Sequence, residues 1–277
     1  MNTLTLKAGL IALSVLTTSI ASAEVVFSTD RSSYDFDAAN TAGAEFVGYF
    51  TYNGTNYGVG ANDFNFATAP TGFTRIATAQ TVDGATKNVV YRFYNQAYST
   101  VIGNIVQGDG SFEGRQFVKG VTGDVTSSSA LTASTNYNYE GVVFNHIAGT
   151  EGDLDYTVSV ASDGTVTGSG SISGVTGNRP NVGAFTLDGT LDTVTFTASN
   201  GQLNAATGNA TLTLTDSLGD LALVDTKYDI GVYGPNANEV AGAIYTDPNS
   251  TASTDEQLQS LVSGYGIAGT LTSTTSN

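Results

Sequence analysis

Apolar and polar residues alternate with a period of two along much of the chain, the mark of strands with one face buried. In residues 153–160, Leu154, Tyr156, Val158 and Val160 share one face, and Asp153, Asp155, Thr157 and Ser159 the other. Asp163-Gly164 follows as a natural hairpin turn, since glycine takes positive φ without strain. Further alternating runs occupy residues 193–198, 210–215, 228–233, 240–245 and 265–271. Gly174, Gly177, Asp188-Gly189, Asn200-Gly201 and Gly219 read as turns between them. Helical spacing occurs over residues 253–262, where Leu258, Leu261 and Val262 fall on one face.

The pattern predicts an all-β protein in two parts behind a leader. Residues 1–23 carry Lys7, an apolar run and Ala21-Ser22-Ala23, the layout of a secretory signal peptide with a small-x-small cleavage site. The run is well short of the roughly 20 residues that span a bilayer. Residues 125–136 are mostly Ser, Thr and Ala and mark a boundary. Residues 24–135 form a small, aromatic-rich β domain, and residues 136–277 carry about eight regular strands, enough to close a barrel and remove exposed edges. A membrane barrel would turn apolar residues outward. Here the face opposite the apolar one carries Asp, Thr and Ser, so a soluble eight-stranded antiparallel β-barrel is expected.

Composition narrows the functional classes. Removal of the leader leaves eight basic against 25 acidic residues, a formal charge of −17. Such a surface repels nucleic acid and anionic lipid. The chain has no Cys, so the exported protein is expected to be free of disulfides and unlipidated, because lipoprotein processing acylates a Cys. Nothing assembles a catalytic nucleophile. The sole His, His146, has no visible acid partner and no G-x-S-x-G elbow accompanies it. Zinc is disfavoured by the lack of Cys and the single His. Acidic pairs such as Asp153/Asp155 and Asp35/Asp37 lack calcium-loop spacing and read as solvated charge. The expectation is a binding protein and not an enzyme.

The stretch 228–245 contains Gly234-Pro235-Asn236-Ala237-Asn238-Glu239 followed by Val240-Ala241-Gly242. Pro fixes φ, Gly relieves the break, small residues allow close strand approach, and Glu239 is placed to accept backbone N–H groups as the next strand begins. This stretch resembles a hairpin of the β-barrel domains of transferrin-binding protein B, shared with surface proteins exported by the Slam outer-membrane system. Tyr139-Glu140-Gly141-Val142-Val143-Phe144 and Gly264-Tyr265-Gly266-Ile267-Ala268-Gly269 resemble that barrel's first and last strands. The resemblance covers residues 137–277 and identifies a scaffold, not a site. Within the family, the layout looks most like the hemophilins, secreted haem carriers that hand haem to an outer-membrane receptor. It implies a Slam-type exporter, a TonB-dependent receptor, and a ligand site within residues 24–135.

Two clusters there are the candidate site. Tyr49, Tyr52 and Tyr57 form one, and Tyr91, Arg92, Tyr94 and Tyr98 the other. Tyr can ligate ferric haem, and Arg75 or Arg92 could pair a propionate. The same aromatics could instead fill a β core. His146 shares a face with Val142 and Phe144 and reads as structural. Tyr-, Asn- and Gly-rich loops also suit adaptable protein recognition. The expected function is therefore haem or iron acquisition at or beyond the cell surface. The alternatives are capture of a host protein without a cofactor, or carriage of another small apolar ligand. An enclosed N-terminal pocket would favour haem, and a Tyr/Asn/Gly surface over a packed core would favour a host protein.

Overall fold

A computed structural model describes residues 25–36, 46–47, 49–58, 60–82, 85–107, 117–179, 181–247 and 264–277. The leader (1–23) and the helix expected over 253–262 lie outside these residues.

The N-terminal part contains β1 (Val26–Ser28), β2 (Phe46–Val47), β3 (Tyr49–Tyr52), β4 (Thr55–Gly58), β5 (Gly72–Val82), β6 (Ala85–Asn95), β7 (Ser99–Gln107) and β8 (Val118–Gly123). Six of them form one sheet in the order β1-β8-β7-β6-β5-β2, and β3–β4 is a separate hairpin. Within the sheet, β1 joins β8 in parallel and the other pairs are antiparallel. Tyr91, Phe93 and Ile102 point to one face, where Tyr34, Phe36, Phe50, Phe64 and Phe66 complete an aromatic core. Tyr94, Tyr98 and Val101 point to the other and meet the second part of the molecule. Both faces are covered, which explains why residues 89–94 read as a nearly continuous apolar run.

The second part contains β9 (Thr135–Phe144), β10 (Gly152–Val160), β11 (Val166–Arg179), β12 (Gly183–Phe196), β13 (Ala198–Ser199), β14 (Gln202–Leu203), β15 (Ala206–Asp216), β16 (Gly219–Leu223), β17 (Thr226–Tyr233), β18 (Glu239–Thr246) and β19 (Tyr265–Ser276). The ring runs β9-β10-β11-β12-β15-β17-β18-β19 and returns to β9, giving a closed eight-stranded antiparallel barrel. β16 continues the line of β17 along β15, with Leu223 opposite Leu212 and Lys227 opposite Asn209. Asp225, at φ 51°, takes up the extra residue between them. Leu154, Tyr156, Val158 and Val160 point into the filled barrel, whereas Asp153 and Asp155 are exposed. That is the reverse of a lipid-facing pattern.

Several glycines read as turns are instead inside strands. Gly174, at φ 70°, forms a bulge in β11 where the register with β12 shifts. Its N–H donates to the Asp188 carboxylate at 2.7 Å, so Asp188 satisfies the group that the bulge frees. Asp188 and Gly189 themselves lie mid-strand in β12, opposite Thr213 and Leu212. Gly177 lies under the Phe185 ring, where a Cβ would come within 2.3 Å. Asn200-Gly201 is a turn as expected, both residues having positive φ. The segment between the two parts is not a loose linker. Thr126 donates from its N–H to Val232 O and from its hydroxyl to Gly234 O, and Val125 bridges Tyr233.

Candidate functional site

The structure distributes the eight candidate residues over three places. Tyr91 is buried within the N-terminal aromatic core. Tyr52 and Tyr57 pack against that core from the β3–β4 hairpin, with Tyr57 stacked on Phe50 at 5.4 Å and Tyr52 edge-on to Phe64 at 5.2 Å. Tyr49, on the same hairpin, is 46% exposed. Arg92, Tyr94 and Tyr98 face the opposite side of the sheet and lie in its seam with the barrel. Arg75 sits opposite Arg92 on the neighbouring strand and is exposed.

The seam accounts for Arg92. Its guanidinium lies over the Phe73 ring at 4.1 Å and donates to the carbonyls of Asn145 and Ile147. It also pairs with Glu151 at the start of the barrel's second strand. Burial pushes the Glu151 carboxyl upward, but hydrogen bonding and charge from Arg92 outweigh it, and the net shift is downward. Tyr94 stacks beside Phe73 and Phe144, and its hydroxyl titrates higher than usual through burial and then the charge of Glu239. His146 lies just beyond β9, its ring 6.1 Å from that of Phe117 in the same seam.

Sequence reasoning missed the polar half of this seam. The β6–β7 turn is closed by a bond from Gln96 N–H to Ser99 O and is gripped from both sides. Arg31, itself buried, donates to Asn95 Oδ1 at 3.0 Å and Gln96 O at 2.9 Å, and also to Ala97 O. From the barrel, Glu239 accepts the Tyr98 N–H and the Ser99 hydroxyl. Gln96 adds a bond from Nε2 to Val240 O and accepts one from the Thr270 hydroxyl. Glu239 does accept a backbone N–H, but from the other part of the molecule and not from its own hairpin. Ala241, Ala243 and Ala268 contribute small side chains to the apolar part of the same seam.

These positions bear on a haem group. A porphyrin needs a slot between apolar faces, an axial ligand and a cation for its propionates. Among the described residues, the N-terminal aromatics contact one another directly. Phe64 and Phe93 stack at 6.0 Å, and Phe36 meets Phe50 at 4.6 Å. Arg92 is already paired on the far face of the sheet, away from Tyr91. The described residues therefore do not bring the candidate tyrosines and arginines around one slot. Nor do the described residues hold any cluster of three or more His, Asp or Glu side chains suited to a metal.

The exposed face is different in character. Tyr49, Asn56, Gly60, Ala61 and Asn62 line an open hollow of about 440 Å³ on the outer side of the β3–β4 hairpin. Among the described residues, no charged side chain lines it. The fully buried Phe50 anchors the hairpin beneath, and the Thr78 hydroxyl donates to Tyr49 O at 3.2 Å.

Comparison with known proteins bears on the barrel. The family model described as factor H binding protein, C-terminal, matches residues 129–244. A solved chain that is similar in part is the vaccine antigen transferrin binding protein B from Haemophilus parasuis Hp5, a double mutant. It shares 17% identity over 73% of this chain and 37% of its own, with a TM-score of 0.35, so the likeness spans little more than a third of that protein. No curated protein matches. The match begins at the 3₁₀ turn Ser128–Ala130 and runs through β9 to β18, taking in the Gly234 to Glu239 hairpin. Over these residues the barrel is similar to the C-terminal domain of factor H binding protein.

Proposed function

We propose that the protein is an exported, non-catalytic binding protein that captures a host macromolecule through its N-terminal domain, with the barrel as scaffold. The observation that carries this reading is the packing of the N-terminal aromatics. They fill a core, which leaves the Tyr/Asn/Gly face as the surface available to a partner. The domain is held rigidly, since Glu239 and Arg31 grip its β6–β7 turn, and a preorganised surface binds without an ordering cost. The family model that matches the barrel is that of a protein named for binding factor H, which supports a macromolecular partner.

Export through a Slam-type outer-membrane protein, without lipidation, belongs to the same proposal. Retention of the mature chain in the periplasm of cells that carry such an exporter would count against it. The test of function is affinity capture of host serum proteins on immobilised mature chain. A captured protein should be lost when Tyr49 and Asn62 are both changed to Ala, with the barrel intact by circular dichroism. The narrower hemophilin-type reading, with a TonB-dependent receptor taking up haem, is tested by haem titration at the Soret band. A saturable shifted band at one haem per chain would replace host-protein capture by haem carriage.

A further inference from the structure

The hollow beside β3–β4 has a chemistry that the proposed function does not specify. Its walls combine one half-exposed aromatic ring, that of Tyr49, with the side chains of Asn56 and Asn62. Asn56 Oδ1 accepts the Thr51 hydroxyl at 2.8 Å. That bond orients the Asn56 amide and leaves its N–H₂ group to donate elsewhere. Gly60, at φ 69°, has open space where a Cβ would lie, so that wall stays low. The Asn62 backbone bridges Tyr57, and Ala61 N–H donates to Gly58 O at 2.8 Å, which fixes the loop against the hairpin.

We infer that this hollow binds a neutral sugar. The inference rests on the reading that the Tyr/Asn/Gly face is the partner-facing surface, and it names the chemistry recognised there. A pyranose has one apolar C–H face and a rim of vicinal hydroxyls. The half-exposed Tyr49 ring offers an apolar platform to the C–H face. Asn amides both donate and accept, as paired hydroxyls require. An open hollow of about 440 Å³ has room for about two sugar rings, near the lower end of ordinary ligand sites. An extended peptide is a poorer fit, because the lining has little apolar surface beyond Tyr49 and Ala61 to seat a side chain. Acidic sugars are disfavoured by the formal charge of −17 left after loss of the leader.

The test is saturation-transfer NMR on the purified mature chain with galactose, N-acetylglucosamine and sialyllactose as separate probes. Transfer to the C–H protons of a neutral sugar is expected, with weaker transfer to sialyllactose. Tyr49→Ala should weaken binding by up to about tenfold, the equivalent of one aromatic contact. Tyr49→Phe, which keeps the ring, should retain it. No transfer to either neutral sugar, or equal transfer in Tyr49→Ala with the fold intact, overturns the inference. Host-protein capture repeated after enzymatic deglycosylation locates the sugar. Capture lost on deglycosylation places it on the partner, and NMR binding without any protein capture identifies free saccharide as the ligand. Capture that persists on deglycosylated protein, with negative NMR, sinks the sugar inference and leaves the proposed function standing.

Discussion

Glu239 accepts the backbone N–H of Tyr98 through both carboxylate oxygens, at 3.2 and 3.1 Å, across 141 residues of sequence. The two residues belong to different β structures, so this contact fixes how the N-terminal sheet sits on the barrel. The Ser99 hydroxyl donates to the same carboxylate at 2.8 Å.

Glu239→Ala should undock the N-terminal sheet before the barrel melts. Removing the acceptor leaves the Tyr98 N–H unpaired and the Ser99 hydroxyl proton without an acceptor, its oxygen still accepting from Gln96 Nε2, a loss of about 1–3 kcal/mol. Amide hydrogen exchange should show β6 and β7 losing protection while β17 and β18 keep theirs. Unchanged protection in both parts would contradict the assigned role.

The seam should respond to acid through two carboxyls with opposite signs. Glu151, held below its ordinary 4.5 by Arg92 against the effect of burial, contributes stability above that value and loses it as pH falls. Glu239 is held above 4.5 by burial, which outweighs Ser99, the Tyr98 and Ala97 N–H groups and Arg31. Its contribution is full below 4.5 and declines as pH rises through its elevated value. In Glu151→Gln the first effect vanishes, so the seam should strengthen as pH falls from 7 toward about 4.5. Thermal melts followed through N-terminal amides test this. Parallel pH profiles for the variant and the parent would refute it.

Tyr34→Phe should stabilise the protein or leave it unchanged. The Tyr34 hydroxyl is buried with no hydrogen-bond partner among the described residues, and burial drives its pKa upward. Deleting an unsatisfied hydroxyl while keeping the ring removes a desolvation cost of about 1–3 kcal/mol. A rise in the denaturant midpoint is the expected result, and a clear fall would reveal a partner for that hydroxyl.

Gly242→Ala should damage the barrel itself. A Cβ there would lie 2.0 Å from Asp229 O, a backbone atom that cannot swing away as a side chain tip can. Overpacking of this kind costs about 1–3 kcal/mol or more. The variant should lower the melting temperature of the whole chain, whereas Gly164→Ala, in an open turn, should affect the β10–β11 hairpin alone through its positive φ.

The barrel was legible from residue order alone. Period-two alternation in β10, β15 and β17 states which residues face inward, because side chains on a strand alternate strictly between two faces. It could not separate turns from bulges in the Gly- and Ser-rich stretch that became β11. Gly174 has the residue type and the φ of a turn, and only the register with β12 and the Asp188 carboxylate show that the strand continues. The candidate site was legible as residue types and not as places. Tyr91 and Arg92 are neighbours in sequence, yet the pleat sends one into the N-terminal core and the other into the seam. Arg31, Gln96 and Glu239 carry no local pattern that would place them in the seam, where Arg31 reaches Asn95 across 64 residues, Glu239 reaches Tyr98 across 141 and Gln96 reaches Thr270 across 174. Alternation is a local property and can be read along the chain. Which part a buried carboxylate or guanidinium holds depends on how two sheets pack, a long-range relationship that exists only once the chain has folded.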